Sequence, residues 1–374
     1  MSLRIVAAAF SMVGIAVAAA SCGSSAEPAA GPAAGDGDAS AETAAPAEPF
    51  TLAVLDKAHI GSNGNLPDFQ KASGEIELTK GPFADAKIVI DLASSCFPFE
   101  QWKADAPPAG QNWPASCDAF DRNFEIALFD PAAPTTPGLE MVRAITPFGG
   151  PLHIERDVTD IANTTQGKRR LEVTIPSYSD AAGKVSGSNG GWTVSVRVEL
   201  TPGVPPRQVL AVVPLVYDSD TKGGTPRPFP FTLPAATTSA RVEYLATGHG
   251  GGKGDSDCIG PAEEFCGRTH TLRADGTAIL TDKELWRDDC EKLCTTTQGG
   301  PFGSYCKENP CGAPQSVAAP RANWCPGSQT PPLALDAVPF ATPGPHTFEL
   351  AVNKIADGGS WRISAKVFAY GSEP

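Results

Sequence analysis

The chain is short of positive charge: 29 Lys and Arg stand against 42 Asp and Glu, a formal net charge of −13. Phosphate binding needs clustered basic side chains, so this balance argues against nucleic acid and anionic membrane surfaces as partners. Histidine is sparse as well. Its five copies, at 59, 153, 249, 270 and 346, show neither His-x-His nor His-Glu-x-x-His spacing, which leaves a zinc or copper centre without a ligand set. No metal and no cofactor is expected. The N-terminal apolar run, residues 5–20, has about 16 residues and is broken by Ser11 and Gly14, short of the roughly 20 that span a membrane. Residues 249–254 look phosphate-like but fail the P-loop pattern at Thr247 and Gly254. Lys222 spoils the calcium-like start at Asp218-Ser219-Asp220. No internal repeat is visible.

What is present begins with an export signal. Arg4 precedes the apolar run, which ends in Ala19-Ala20-Ser21-Cys22, small residues before a cysteine. This pattern predicts a lipoprotein signal over residues 1–21, with lipidation at Cys22; a plain secretory signal is the other reading. Residues 23–48 contain only Ala, Gly, Pro, Ser, Thr, Asp and Glu. Such a stretch cannot bury enough apolar surface to offset its ordering entropy, so residues 22–48 read as a disordered tether. The expected location is the bacterial cell envelope, at the outer membrane or cell surface, with the lipid as the membrane contact. Ten cysteines occur, nine of them after Cys22. In an oxidising compartment most pair, and an odd number leaves one over.

The rest reads as strands. Trp192, Val194, Val196, Val198 and Leu200 alternate with Thr193, Ser195, Arg197 and Glu199; Trp361, Ile363, Ala365 and Val367 alternate with Arg362, Ser364 and Lys366. Shorter runs lie at 87–92, 124–129, 171–175, 209–216, 241–245 and 348–352. Thirty-six prolines and thirty-eight glycines punctuate them, which suits short strands joined by turns. Only residues 282–293 invite a helix. The pattern predicts an all-β chain of two domains, 49–203 and 204–374, divided where Thr201-Pro202-Gly203-Val204-Pro205-Pro206 cannot continue a ladder.

Three cysteine-flanked segments carry the chemistry: Cys117-Asp118-Ala119-Phe120-Asp121-Arg122, Glu263-Glu264-Phe265-Cys266-Gly267-Arg268-Thr269-His270, and Arg321-Ala322-Asn323-Trp324-Cys325-Pro326-Gly327. Each sets ionisable groups and an aromatic beside a cysteine. In order and approximate spacing they resemble the peptide-N-glycosidase F family, bacterial amidases that cut N-linked glycans from asparagine. The resemblance implies two antiparallel eight-stranded jelly rolls packed side by side, with the cleft at their interface. It also implies a monomer acting on an N-glycosylated protein or glycopeptide. By position Asp121 is the family's essential catalytic acid and Glu264 its acidic partner, and two close carboxylates should raise the pKa of one. Arg122 would help keep Asp121 ionised. Arg321 could hydrogen-bond the first sugar, Trp324 could pack on a sugar face, and Phe120 and Phe265 would complete the binding surface. Glu263 reads as solvent-facing, and Arg268-Thr269-His270 as structural. Without the other two segments, Asp118 and Asp121 would read as turn residues capping backbone amides; Trp324 beside a disulfide could equally be core.

Within this resemblance Cys96 with Cys117 would anchor the Asp121 loop, and Cys258 with Cys266 would fix Glu264. Cys325 should pair with Cys306 or Cys290, and pairing among 290, 294, 306, 311 and 325 stays open. Five departures stand out. Pro176 occupies the place of a third functional acid, Phe120 and Phe265 stand where the family has Trp, and Tyr178 and Thr247 likewise replace Trp. Two other functions therefore accompany the amidase. One is a non-catalytic glycan-binding surface lipoprotein. The other is a copper monooxygenase of similar fold, which lacks its His and Met ligands here, since Met occurs only at 1, 12 and 141.

Overall fold

The computed structural model describes residues 48–79, 81–99, 105–165, 167–177, 180, 184–251 and 254–372. The signal segment, Cys22 with most of its tether, and Tyr178 lie outside them. The first eight strands are β1 (Phe50–Gly61), β2 (Lys71–Glu77), β3 (Phe83–Ser94), β4 (Asn123–Phe129), β5 (Leu139–Ile145), β6 (Leu152–Asp157), β7 (Lys168–Thr174) and β8 (Gly191–Pro202). They form two four-stranded antiparallel sheets, ordered β1-β8-β3-β6 and β2-β7-β4-β5. Between the sheets the inward residues of β8, Trp192 to Leu200 in steps of two, meet Ile126, Leu128, Val142 and Val173. Each such large side chain taken fully from water contributes roughly 1.5–3 kcal/mol before ordering costs. A short helix, α1 (Thr159–Thr164), puts Ile161 and Ala162 into the same core.

The second set is β9 (Val209–Asp220), β10 (Arg227–Leu233), β11 (Ser239–His249), β12 (Arg268–Ala274), β13 (Thr277–Leu285), a hairpin β14 (Thr296–Gln298) and β15 (Ser304–Cys306), then β16 (Leu333–Asp336), β17 (Gly344–Val352) and β18 (Ser360–Tyr370). Its sheets run β10-β17-β12-β13 and β16-β11-β18-β9. Val242, Tyr244, Leu272, Phe348, Trp361 and Ile363 lie in the core between them. A five-residue helix, α2 (Pro314–Ala318), sits outside the sheets. The protein is all-β, two eight-stranded jelly rolls side by side, as the sequence led one to expect.

The helix expected over 282–293 does not form. β13 runs through Leu285 and pairs with β12, and one 3-10 turn follows at Cys290–Leu293. The cause lies upstream: Asp275 and Gly276 take positive φ, 47° and 77°, between paired Ala274 and Thr277. That is the two-residue hairpin turn favoured by Asp-Gly, and it commits the following residues to a strand.

Where the jelly rolls meet, polar side chains are buried. Ser364 and Lys366 of β18 are 4% and 3% exposed, although they alternate with core residues as a solvent face would. They reach Glu140 and Glu243: Lys366 Nζ donates to the Glu140 carbonyl and Glu243 Oε2, both at 3.0 Å, and the Ser364 hydroxyl donates to the Glu140 carboxylate. Arg362 clamps Glu125 of β4 through Nε and Nη2 at 2.7 and 2.8 Å.

Candidate active site

The Asp121 turn is built by four anchors. The Cys96–Cys117 disulfide closes the preceding loop. The fully buried Asp118 carboxylate then accepts Arg122 Nε at 3.1 Å, and the Arg122 guanidinium lies over the Phe120 ring at 4.8 Å. Thr146, just past β5, accepts Arg122 N–H through Oγ1 at 2.8 Å and donates the same hydroxyl to the Phe120 carbonyl at 2.9 Å. Asp121 sits half-buried between these fixed neighbours. Thr146 lies 24 residues along the chain, and nothing in the sequence marks it.

The second segment is a 3-10 turn, Glu263–Phe265, closed by the Cys258–Cys266 disulfide. Glu263 is fully buried, which corrects its solvent-facing assignment. Its carboxylate accepts Arg268 Nε and Nη2 at 2.9 and 2.8 Å, Trp361 Nε1 at 2.7 Å and the Ala356 N–H at 2.8 Å. Four donors hold the negative charge that burial would otherwise penalise. Glu264 is half-buried, and its carbonyl accepts the Ala322 N–H at 2.8 Å, tying the second segment to the third. Arg268 and His270 are buried; His270 Nδ1 meets the Tyr244 hydroxyl at 2.8 Å.

Arg321 and Trp324 do not stand open to a sugar: each is 1% exposed. Arg321 donates Nη1 to the Ala319 carbonyl at 3.1 Å and Nη2 to the Ser316 carbonyl of α2 at 2.8 Å. Its guanidinium lies between the rings of Phe265 and Trp324, at 4.3 and 5.2 Å, and its Nε has no partner among the described residues. Trp324 gives its indole N–H to the Gly248 carbonyl at 2.8 Å and stacks on His249. Gly248 admits this packing because a Cβ there would come within 2.6 Å of Ala322. Burial pushes His249 down to about 3, so the ring under Trp324 is neutral at pH 7. Phe120 and Phe265 remain half-buried, each with one face covered by an arginine.

These segments bring Asp121, Glu264 and Arg321 within electrostatic reach of one another. Burial first, then the charge on Glu264, push Asp121 up to about 7, against the opposing pull of Arg321. Arg122 also favours the ionised form, as expected, but it opposes the rise least, because its guanidinium is spent on Asp118. Burial also raises Glu264, with Arg321 pulling it down. The pair therefore gives up one of its protons near neutrality, the range in which a carboxyl can both take and give one. In Glu264→Gln the like charge is gone, so Asp121 is expected to titrate below its present midpoint. Carboxyl carbon NMR against pH checks this, and an unmoved midpoint would assign the whole shift to burial.

Cys290 pairs with Cys325 and Cys294 with Cys306, leaving Cys311 buried and unpaired. The open choice at Cys325 thus falls to Cys290. Pro176 is exposed past the end of β7, while Glu172 pairs with Arg170.

Residues 217–368 match the family model described as peptide-N-glycosidase F, C terminal. The structure titled PNGase F, a glycosylasparaginase from Flavobacterium meningosepticum, superposes with a TM-score of 0.64 at 19% identity, covering 88% of this chain and 97% of that one. A recombinant peptide N-glycanase F matches with the same TM-score and identity over 87% and 96%. PNGF-II matches at 0.64 and 15% identity, covering 87% of this chain and 66% of its own. No curated protein matches by sequence. Residues 217–368 thus resemble the C-terminal domain of the peptide-N-glycosidase F family, and the two-jelly-roll body has the fold of PNGase F.

Proposed function

We propose that the protein hydrolyses the amide between asparagine and the first GlcNAc of N-linked glycans, acting on glycoproteins or glycopeptides. The observation that carries the reading is the Asp121–Glu264 pair beside Arg321, with Asp121 held at about 7. Water adds to the asparagine side-chain carbonyl carbon as its proton passes to Asp121. The C–N bond then breaks, a proton goes to the departing nitrogen, and the products are an aspartate and a glycan bearing a 1-amine. Glu264 supplies the second carboxyl of this proton traffic. The Arg321 charge offsets negative charge developing at the carbonyl oxygen. In this role Arg321 acts from beneath the site, with Phe265 as the aromatic above it.

The same reading places the folded body outside the cytoplasm, in keeping with its four disulfides. It is tethered through residues 22–48 to a lipid on Cys22, acts as a monomer and divides at 203/204. A second reading has its own observation. Pro176 carries no proton and no charge where a third acid is expected, which fits a glycan-binding protein that has lost turnover.

Mass spectrometry of a denatured N-glycoprotein incubated with the purified chain separates the two. The amidase predicts intact released glycan with asparagine converted to aspartate. Unchanged glycoprotein across several glycan classes overturns it in favour of binding alone.

A further inference from the structure

A groove of about 870 Å3 opens between the end of β13 and the segment that follows Cys325. It contains neither Asp121 nor Glu264. Its walls are clamped by the Cys290–Cys325 disulfide and by paired backbone hydrogen bonds between Arg287 and Arg321, both 2.9 Å, so it is formed before any ligand arrives.

Three features define what fits. Trp286 lines the groove and is the one tryptophan among the described residues that is not buried; Trp113, Trp192, Trp324 and Trp361 are all 6% exposed or less. One side of Trp286 packs on the second jelly-roll core, which fixes the ring while part of it stays open. The groove's arginines are already neutralised. Arg287 is bidentate to Asp289 at 2.8 and 2.9 Å, and Arg156 meets Glu243 at 2.8 Å. Asp288 is left as the exposed carboxylate; Asn323, Gln329 and Pro331 line the groove with it, and Asn323 Nδ2 donates to the Ala246 carbonyl at 2.8 Å, which leaves its amide oxygen as the acceptor. A half-open indole ringed by planar carboxylate and amide groups, with little net charge, matches a neutral, hydroxyl-rich ligand. The apolar ring faces the sugar's C–H surface, and the planar acceptors can take paired hydroxyls.

We propose that this groove is a second carbohydrate site, distinct from the Asp121–Glu264 pair, that holds a neutral oligosaccharide against Trp286. It rests on the groove's own chemistry and stands whether or not the chain turns substrate over.

The test uses the full chain carrying Asp121→Asn and Glu264→Gln, titrated with free N,N′-diacetylchitobiose and with a free high-mannose oligosaccharide. Binding is followed by calorimetry and by tryptophan emission. Saturable binding with a change in emission is expected. Adding Trp286→Ala should weaken binding at least about tenfold and remove the emission change, and Asp288→Ala, at an exposed position, should weaken it without lowering the melting temperature. Equal affinity with and without Trp286 overturns the proposal. So does an absence of binding by both sugars, or preferential capture of a proline-rich peptide.

Discussion

Asp121→Asn is expected to act in two opposite directions. It should cut glycan release by about 10²–10⁴-fold, the usual effect of losing a positioned acid or base, and it should make the protein more stable above neutral pH. The sign follows from the carboxyl's two environments. Burial, and after it the Glu264 charge, push Asp121 up to about 7 in the fold from an ordinary value of 3.8, so the native state favours its protonated form. Below 3.8 both states are protonated and nothing is lost. As pH rises from there through about 7, the unfolded chain ionises first and stability falls. At 1.36 kcal/mol per pH unit the ceiling is about 4 kcal/mol; solvent reaching the half-buried group reduces this to on the order of 1–2 kcal/mol. Asparagine carries no such charge, so its urea midpoint should exceed wild type at pH 8 and equal it near pH 3.5. Destabilisation at both pH values would mean that the carboxylate holds its own turn together, contrary to the anchoring by Asp118, Arg122 and Thr146. Stability withheld by a strained site is the common cost of function.

Much of the fold was legible because strand periodicity is local. The alternation along β8 and β18 states which residues face a core, and both strands form as read. What it cannot state is what covers the other face. Ser364 and Lys366 look like solvent-side residues, and only the approach of β5 from the first jelly roll buries them. The same limit applies at single-residue scale. Glu263 and Glu264 are chemically identical neighbours, and the path of a three-residue turn decides that the first enters the core and the second the cleft. Cysteine positions placed two of the disulfides, yet the choice between Cys290 and Cys306 for Cys325 depends on where β13 ends. β13 leaves the Asp275-Gly276 turn and ends at Leu285, inside the stretch that reads as a helix in the sequence. For Arg122, adjacency to Asp121 states the direction of its influence, but only the geometry shows that the guanidinium pairs with Asp118 and leaves that influence small.

Arg143→Met should be among the most damaging substitutions in the folded body. Arg143 is fully buried, with Nε and Nη2 bidentate to Glu140 at 2.9 and 2.8 Å and Nη1 donating to Thr247 Oγ1 at 3.3 Å and to the Arg362 carbonyl. Its removal strands the carboxylate of Glu140, which is 1% exposed, with the Ser364 hydroxyl as its hydrogen-bond donor and Lys366 held on the Glu140 backbone carbonyl. A buried charge deprived of its partner costs about 3–5 kcal/mol, and the loss should show as a lower urea midpoint. Pairing Arg143→Met with Glu140→Leu removes both charges and should recover most of that stability, because the desolvation penalty goes with them. A single variant within about 1 kcal/mol of wild type, or a double variant worse than the single, would refute this account. The effect should also reach the candidate site. Thr247 Oγ1 is shared between Arg143 and His249 Nε2, His249 stacks under Trp324, and Trp324 floors Arg321. Glycan release by Arg143→Met should therefore fall even at temperatures where the variant is fully folded, and the Glu140→Leu partner should restore stability without restoring that rate.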